Sequence, residues 1–290
     1  MRRNLSNDKI KIEVAERGAE LKSLRCDGIE YIWYSDPKYW GYCSPFLFPI
    51  VGTLKDKKTK FGEIEYQIPQ HGLIRYRDFK YLGSSDNKIS FEFVSDSETY
   101  ESYPFKHQVN VNYYLNGYEV KAEIIVKNLD EKEMLFNLGG HPAFNVPLYK
   151  NEKFTDYRVV FDEPETFDSP KVMPNATLNF DEPVLHFENL KELYLKKELF
   201  DIDTIINTKV KSKSVKLLNK ENKGLKFSYP KFKTLAIWTP FNDAPFVCLE
   251  PWIGYNDHHD TKGYFKDKDD VVTLKPNETF TVEYMIEIIK

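Results

Sequence analysis

One carboxylate, Glu250, stands inside the apolar stretch Phe246-Val247-Cys248-Leu249-Glu250-Pro251-Trp252-Ile253-Gly254. Desolvating a carboxylate is so unfavourable that one in such company needs a structural partner or a chemical task. Val, Cys and Leu in a row read as a buried strand, and Pro251 cannot donate to a sheet ladder. The strand is therefore expected to end at or just after Glu250. Two of the six histidines occupy segments of similar build. His141, in Gly139-Gly140-His141-Pro142-Ala143-Phe144-Asn145, follows two glycines that permit close backbone approach or positive φ. His71, in Gln70-His71-Gly72-Leu73-Ile74-Arg75, follows Pro69 and precedes Gly72. Two imidazoles and a carboxylate at strand ends suit proton transfer or metal ligation. His107, His186 and the adjacent His258-His259 have plainer settings, and neighbours in an extended chain point opposite ways.

Other chemistries lack their motifs. There is no P-loop, no dinucleotide fingerprint after a strand, no nucleophile elbow and no zincin helix motif. No nucleotide cofactor is expected, and no cofactor of another kind is indicated. Cys26, Cys43 and Cys248 have no C-x-x-C spacing, so neither a zinc site nor a disulfide framework is expected. The 290 residues carry a formal net charge of -4, which argues against a nucleic-acid binder with its basic face. No apolar run approaches a membrane span, and the start shows no apolar signal region. These features predict a cytoplasmic protein with neither nucleic acid nor membrane as partner.

The elements that must position these residues read as strands. Ile10, Ile12 and Val14 alternate with charged residues, and Phe280, Val282, Tyr284, Ile286 and Ile288 alternate to the C-terminus. Val109–Leu115 and Tyr118–Ile124 flank Asn116-Gly117, the signature of a hairpin with a type I′ turn. Pro45–Gly52 is too apolar for a loop and too proline-rich for a central strand, and reads as a buried connection shaping a pocket wall. Short helical turns are expected at Asp36-Pro37, with Pro at the first position, and within Leu190–Phe200. The 19 Tyr and 21 Phe suit strands and cores, and also sugar-binding surfaces. Many short strands between Gly, Pro and Asn turns predict an antiparallel β-sandwich with few short helices. With no repeat and no linker, residues 1–290 are expected to form a single domain.

The segments His71-Gly72-Leu73-Ile74-Arg75, Gly139–Asn145 and Phe246–Trp252, in that order, resemble the aldose 1-epimerase (galactose mutarotase) family, closest to its LacX-like branch. Asp36-Pro37-Lys38-Tyr39-Trp40, Leu47–Gly52 and Leu274–Phe280 match in register, so the resemblance runs from about Ile10 onward. It implies a large β-supersandwich with a sugar in an open cleft on one concave sheet. It implies that Glu250 takes the proton of the anomeric hydroxyl, that His141 protonates the ring oxygen and that His71 polarises the same region. Arg75, Lys55, Asn145, Asp203 and Trp252 are the expected sugar contacts. The partner implied is a small sugar, handled by a monomer or weak homodimer.

The chain departs from its relatives in places. Lys55 stands where many carry arginine, Tyr76-Arg77 where an acidic or amide residue is common, and Ala143 where galactose mutarotases have tyrosine. Three further readings therefore stay open: a hexose-6-phosphate epimerase using Lys55, Arg75 and Arg77, a sugar-binding protein of little activity, and a metal enzyme ligated by His71, His141 and Glu250.

Overall fold

Period-two alternation becomes strand almost everywhere it occurs. The computed structural model describes residues 1–290. Two antiparallel sheets dominate it. The larger has nine strands in the order Leu185–Tyr194, Arg158–Ser169, Ser214–Leu218, Gly224–Ser228, Thr279–Ile289, Glu119–Asn128, His107–Asn116, Lys88–Val94 and Lys80–Ser84. Within Thr279–Ile289, Val282, Tyr284, Ile286 and Ile288 are buried while Glu287 is exposed, as one covered sheet face requires.

The smaller sheet carries the sequence's chemistry. Its order is Thr204–Asn207, Thr234–Trp238, Phe246–Ile253, Leu138–Gly140 and Phe46–Leu47, and Ala143–Asn145 also pairs with Phe246–Ile253. The sheets pack face to face. Phe46 lies 5.9 Å from Tyr284 and Phe144 lies 5.6 Å from Phe227, centroid to centroid. Val247, Leu249, Val282 and Tyr284 belong to one core of 62 buried residues. The fold is thus an all-β antiparallel sandwich. A four-stranded sheet, from Arg2–Ser6 to Ile29–Glu30, adds to it, and no helix is long and apolar enough to cross a membrane.

Two local expectations need correction, and a third is met in part. Phe246–Ile253 does not stop at Glu250 but continues through Pro251. Leu249 N donates to Pro142 O on one side of this strand, while Trp252 O accepts from Lys233 N on the other. Alternation then points the Pro251 nitrogen to the side where Leu138–Gly140 has ended and Ala143–Asn145 has not begun. No ladder donor is needed there, so proline fits. In the hairpin, Asn116 pairs with Glu119 and only Gly117 takes positive φ, at 55°, so the turn centres on Gly117-Tyr118 and lacks the two positive φ values of type I′. Leu190–Phe200 is strand as far as Tyr194 and supplies its expected turn only at the end, as the 3-10 helix Lys197–Phe200. The one α-helix, Ser97–Ser102, starts at Asp96, whose carboxylate accepts from Thr99 N.

The glycines before His141 serve close approach, not positive φ. A Cβ on Gly139 would stand 2.8 Å from Trp252 Cδ1 and 3.2 Å from Val51 Cγ2. Gly139→Ala should therefore cost about 1–3 kcal/mol by overpacking, read as a lowered urea midpoint. An unchanged midpoint would show that the indole yields freely.

Candidate active site

Alternation along Phe246–Ile253 divides its residues between two environments. Val247, Leu249 and Ile253 enter the main core, whereas Phe246, Cys248, Glu250 and Trp252 face the concave side. On that side opens a cleft of about 330 Å³, whose lining includes Glu250, Trp252, His141, His71, Arg75 and Asp203. The interruption in the neighbouring strand brings His141 beside Glu250. His141 Nε2 lies 3.2 Å from Glu250 Oε2, with both residues at most 5% exposed. The Pro45–Gly52 connection lies behind this wall: Leu47 and Val51 pack with Trp252 beneath the cleft, and Gly52 O accepts from His71 N.

Several buried polar atoms here have no hydrogen-bond partner: Glu250 Oε2, His141 Nδ1, Trp252 Nε1 and Arg75 Nε. Buried polar groups are seldom left unpaired, so their concentration around one cleft marks it as built for a polar ligand. Burial pushes the Glu250 carboxyl well above its ordinary range, and the negative charge of Asp203 adds to this. The Trp252 indole N–H opposes that shift from outside hydrogen-bond geometry. Burial pulls His141 well down, helped by His71 and Arg75. Their 3.2 Å contact works the other way, since each charged form stabilises the other. Carboxylate–imidazolium and carboxyl–imidazole hold the same single proton, and the pair titrates as a unit.

Aromatic rings enclose His141. Trp40 stacks on it at 4.6 Å and 24°, Trp238 meets it edge-on at 5.7 Å, and His71 does so at 5.4 Å. A π-face over the imidazole favours its cationic form. His71 holds a left-handed backbone, φ 62°, and its Nδ1 accepts from Gly52 N at 3.2 Å. Accepting at Nδ1 leaves the proton of the neutral ring on Nε2, as a donor. Burial and Arg75 push the His71 pKa down to about 3. The folded state then binds fewer protons than the unfolded chain between pH 6.5 and about 3, so stability is full above that window and falls as the solution is acidified. The ring is half-buried, and solvent access limits the effect at pH 4.5 to about 1–2 kcal/mol. His71→Asn, which tolerates the left-handed φ, should lose less stability between pH 7 and 4.5 in urea titrations than the parent chain. Equal losses would refute the assignment.

Arg75 sits between aromatic faces, 4.9 Å from the Tyr42 ring and 4.7 Å from the Tyr76 ring, and donates to Gln70 O. Asp203 stands exposed on the rim with φ 81°, accepting from Thr204 Oγ1. Two expected sugar contacts lie elsewhere. Asn145 donates to Glu30 O and Ile32 O, tying two segments together outside the cleft lining. Lys55 does not reach the cleft either, because its Nζ turns to Thr261 O at 3.4 Å. The lining also contains Trp40, Tyr42, Gln70, Trp238 and Asn256, none of which sequence reasoning singled out as a site residue. The signals for them were slight: Trp40 lies within the matched segment Asp36–Trp40, and Gln70 directly precedes His71.

A cleft with a buried Glu–His pair, set on one sheet of a large antiparallel sandwich, defines a class. The chain belongs to the aldose 1-epimerase family, whose model matches residues 2–287. It is accordingly an isomerase, a sugar epimerase or mutarotase. It is 34% identical over 294 residues to the plasmid-borne protein LacX of Lactococcus lactis subsp. lactis, covering 98% of each chain, and 33% identical to the chromosomal form. Among solved structures it resembles a galactose mutarotase related enzyme from Lactobacillus acidophilus, with TM-score 0.93 at 27% identity, covering 100% of this chain and 98% of that one. A galactose mutarotase-like protein from Lactobacillus casei gives TM-score 0.92 at 29% identity, covering 99% and 100%.

Proposed function

We propose that this chain interconverts the α and β anomers of a free aldohexose by acid–base opening of the ring. The observation that carries the reading is the buried Glu250–His141 contact, with unpartnered polar atoms around it. The oxygens to be served, O1 and O5 of a pyranose, are bonded to the same carbon, so two groups in contact can address both. Glu250 takes the proton of O1–H, and those electrons form the C1=O1 bond. The C1–O5 bond breaks, and O5 receives the proton of His141 Nε2. His71 Nε2–H is a further donor to the developing charge. Rotation about C1–C2 presents the other face of the aldehyde. Closure returns the proton on O5 to His141 and the proton on Glu250 to O1. Nothing is consumed, and no bond to the protein forms.

The cleft favours an unphosphorylated sugar. Of the three cations that a 6-phosphate reading requires, only Arg75 lines it. Arg77 is paired with Glu98, and Lys55 lies elsewhere. Polarimetry on freshly dissolved α-D-glucose and α-D-galactose tests the reading. Anomeric equilibrium should be reached faster with enzyme than without for at least one of them. If no free aldohexose is accelerated, the reading fails.

A further inference from the structure

Cys248 precedes Glu250 by two residues and therefore shares its sheet face. It forms no disulfide and has no role in ring opening. His141, Cys248 and Glu250 each contribute one ligand atom to a group whose members all lie within 4.8 Å of one another, and all three residues are buried. Ligand atoms held tetrahedrally at about 2.0–2.3 Å from zinc stand about 3.3–3.7 Å apart. The His141–Glu250 contact of 3.2 Å is already at that spacing. Glu250 Oε2 is buried and without a hydrogen-bond partner, so a lone pair is free to coordinate. His71, by contrast, has Nδ1 engaged by Gly52 N–H and does not belong to the set.

We propose that His141, Cys248 and Glu250 form a site for one zinc-type divalent cation, whose occupancy switches the acid–base pair off. The binding claim stands on the geometry alone, and the inhibition rests on the ring-opening reading above. The route to the site is the cleft, which His141 and Glu250 line. The thiolate selects borderline and soft metals over Mg²⁺ and Ca²⁺, which prefer all-oxygen ligands. Binding releases the thiol proton, and the proton shared by the Glu–His pair, to solvent.

Co²⁺ serves as the probe, titrated into metal-free protein and followed by absorbance. The expected result is one equivalent bound, with a sulfur-to-cobalt charge-transfer band in the near ultraviolet that Zn²⁺ abolishes. Cys248→Ser and Cys248→Ala should lose the band, and Mg²⁺ should leave it unchanged. In parallel, one equivalent of Zn²⁺ should suppress mutarotation in the parent chain, reversibly with chelator, and spare the two variants. Absence of the band, or its persistence in both variants, overturns the proposal. Spared mutarotation in a protein that has bound Zn²⁺ overturns its inhibitory half. A band that behaves as expected in a protein without mutarotase activity upholds the metal site and overturns the ring-opening reading instead.

Discussion

Glu250→Gln should slow mutarotation by at least about 10²-fold, the lower end of what one positioned acid–base group contributes, and leave the fold intact. The amide keeps the shape of the carboxyl but cannot accept a proton at neutral pH. No hydrogen bond of the fold depends on the charge, since Glu250 Oε2 makes none to the protein. Linkage sharpens the expectation. Burial raises the Glu250 pKa above its unfolded value, so between those two values the folded state binds more protons and stability declines as pH rises. The variant lacks that decline and should unfold no more easily than the parent at pH 7, and relatively more easily below about pH 4, where the carboxyl is protonated in both states. Polarimetric rates and thermal midpoints for the two proteins test both halves. Turnover near that of the parent would remove Glu250 from the mechanism.

His141→Ala should cost a comparable factor and change the pH dependence as well. Ring opening as proposed starts from the form of the pair with one proton, carried on the imidazole. Acid protonates Glu250 and base deprotonates His141, so the parent rate should be bell-shaped in pH. Burial moves the two limbs toward each other, upward for the carboxyl and downward for the imidazole, and their contact moves them apart. Without His141 the descending limb vanishes, and the residual rate should climb with pH as the carboxyl ionises. Combining both substitutions should slow the reaction little more than either alone, because the groups act as a unit. A double variant showing the full product of the two losses would mean that they work independently.

Much of the fold was legible because one sheet face is buried, and burial writes a period of two into the sequence. Glu119–Asn128 follows that rule residue by residue, His107–Asn116 departs from it only at Asn112, and Thr279–Ile289 follows it from Val282 onward. Leu185–Tyr194 escaped because its burial is shallow, with only Leu193 buried, so its composition carries little periodicity. The helix Ser97–Ser102 is set by its Asp96 cap and not by an apolar stripe, and six residues are too few to display one. At the site, Glu250 and His141 were conspicuous as polar residues in apolar or glycine-rich company. Trp40, Tyr42 and Trp238 were not, because in a chain so rich in aromatics nothing local separates a ring lining a cleft from one filling a core. Lys55 and Asn145 were misplaced for a related reason: nearness in sequence to a site segment does not determine where a side chain turns, and each finds backbone carbonyls elsewhere.

Pro251 also constrains how the sheet assembles. Sliding Phe246–Ile253 by one residue would turn Glu250 into the apolar layer and expose Val247 and Leu249 to the cleft. The same slip would swing the Pro251 nitrogen from the interrupted side to the continuous neighbour Thr234–Trp238, where each inward-facing residue must donate. A misaligned pairing thus loses a ladder bond and takes the carboxylate away from its cleft and from His141 together. In this way the proline penalises that misalignment of the strand that carries the base.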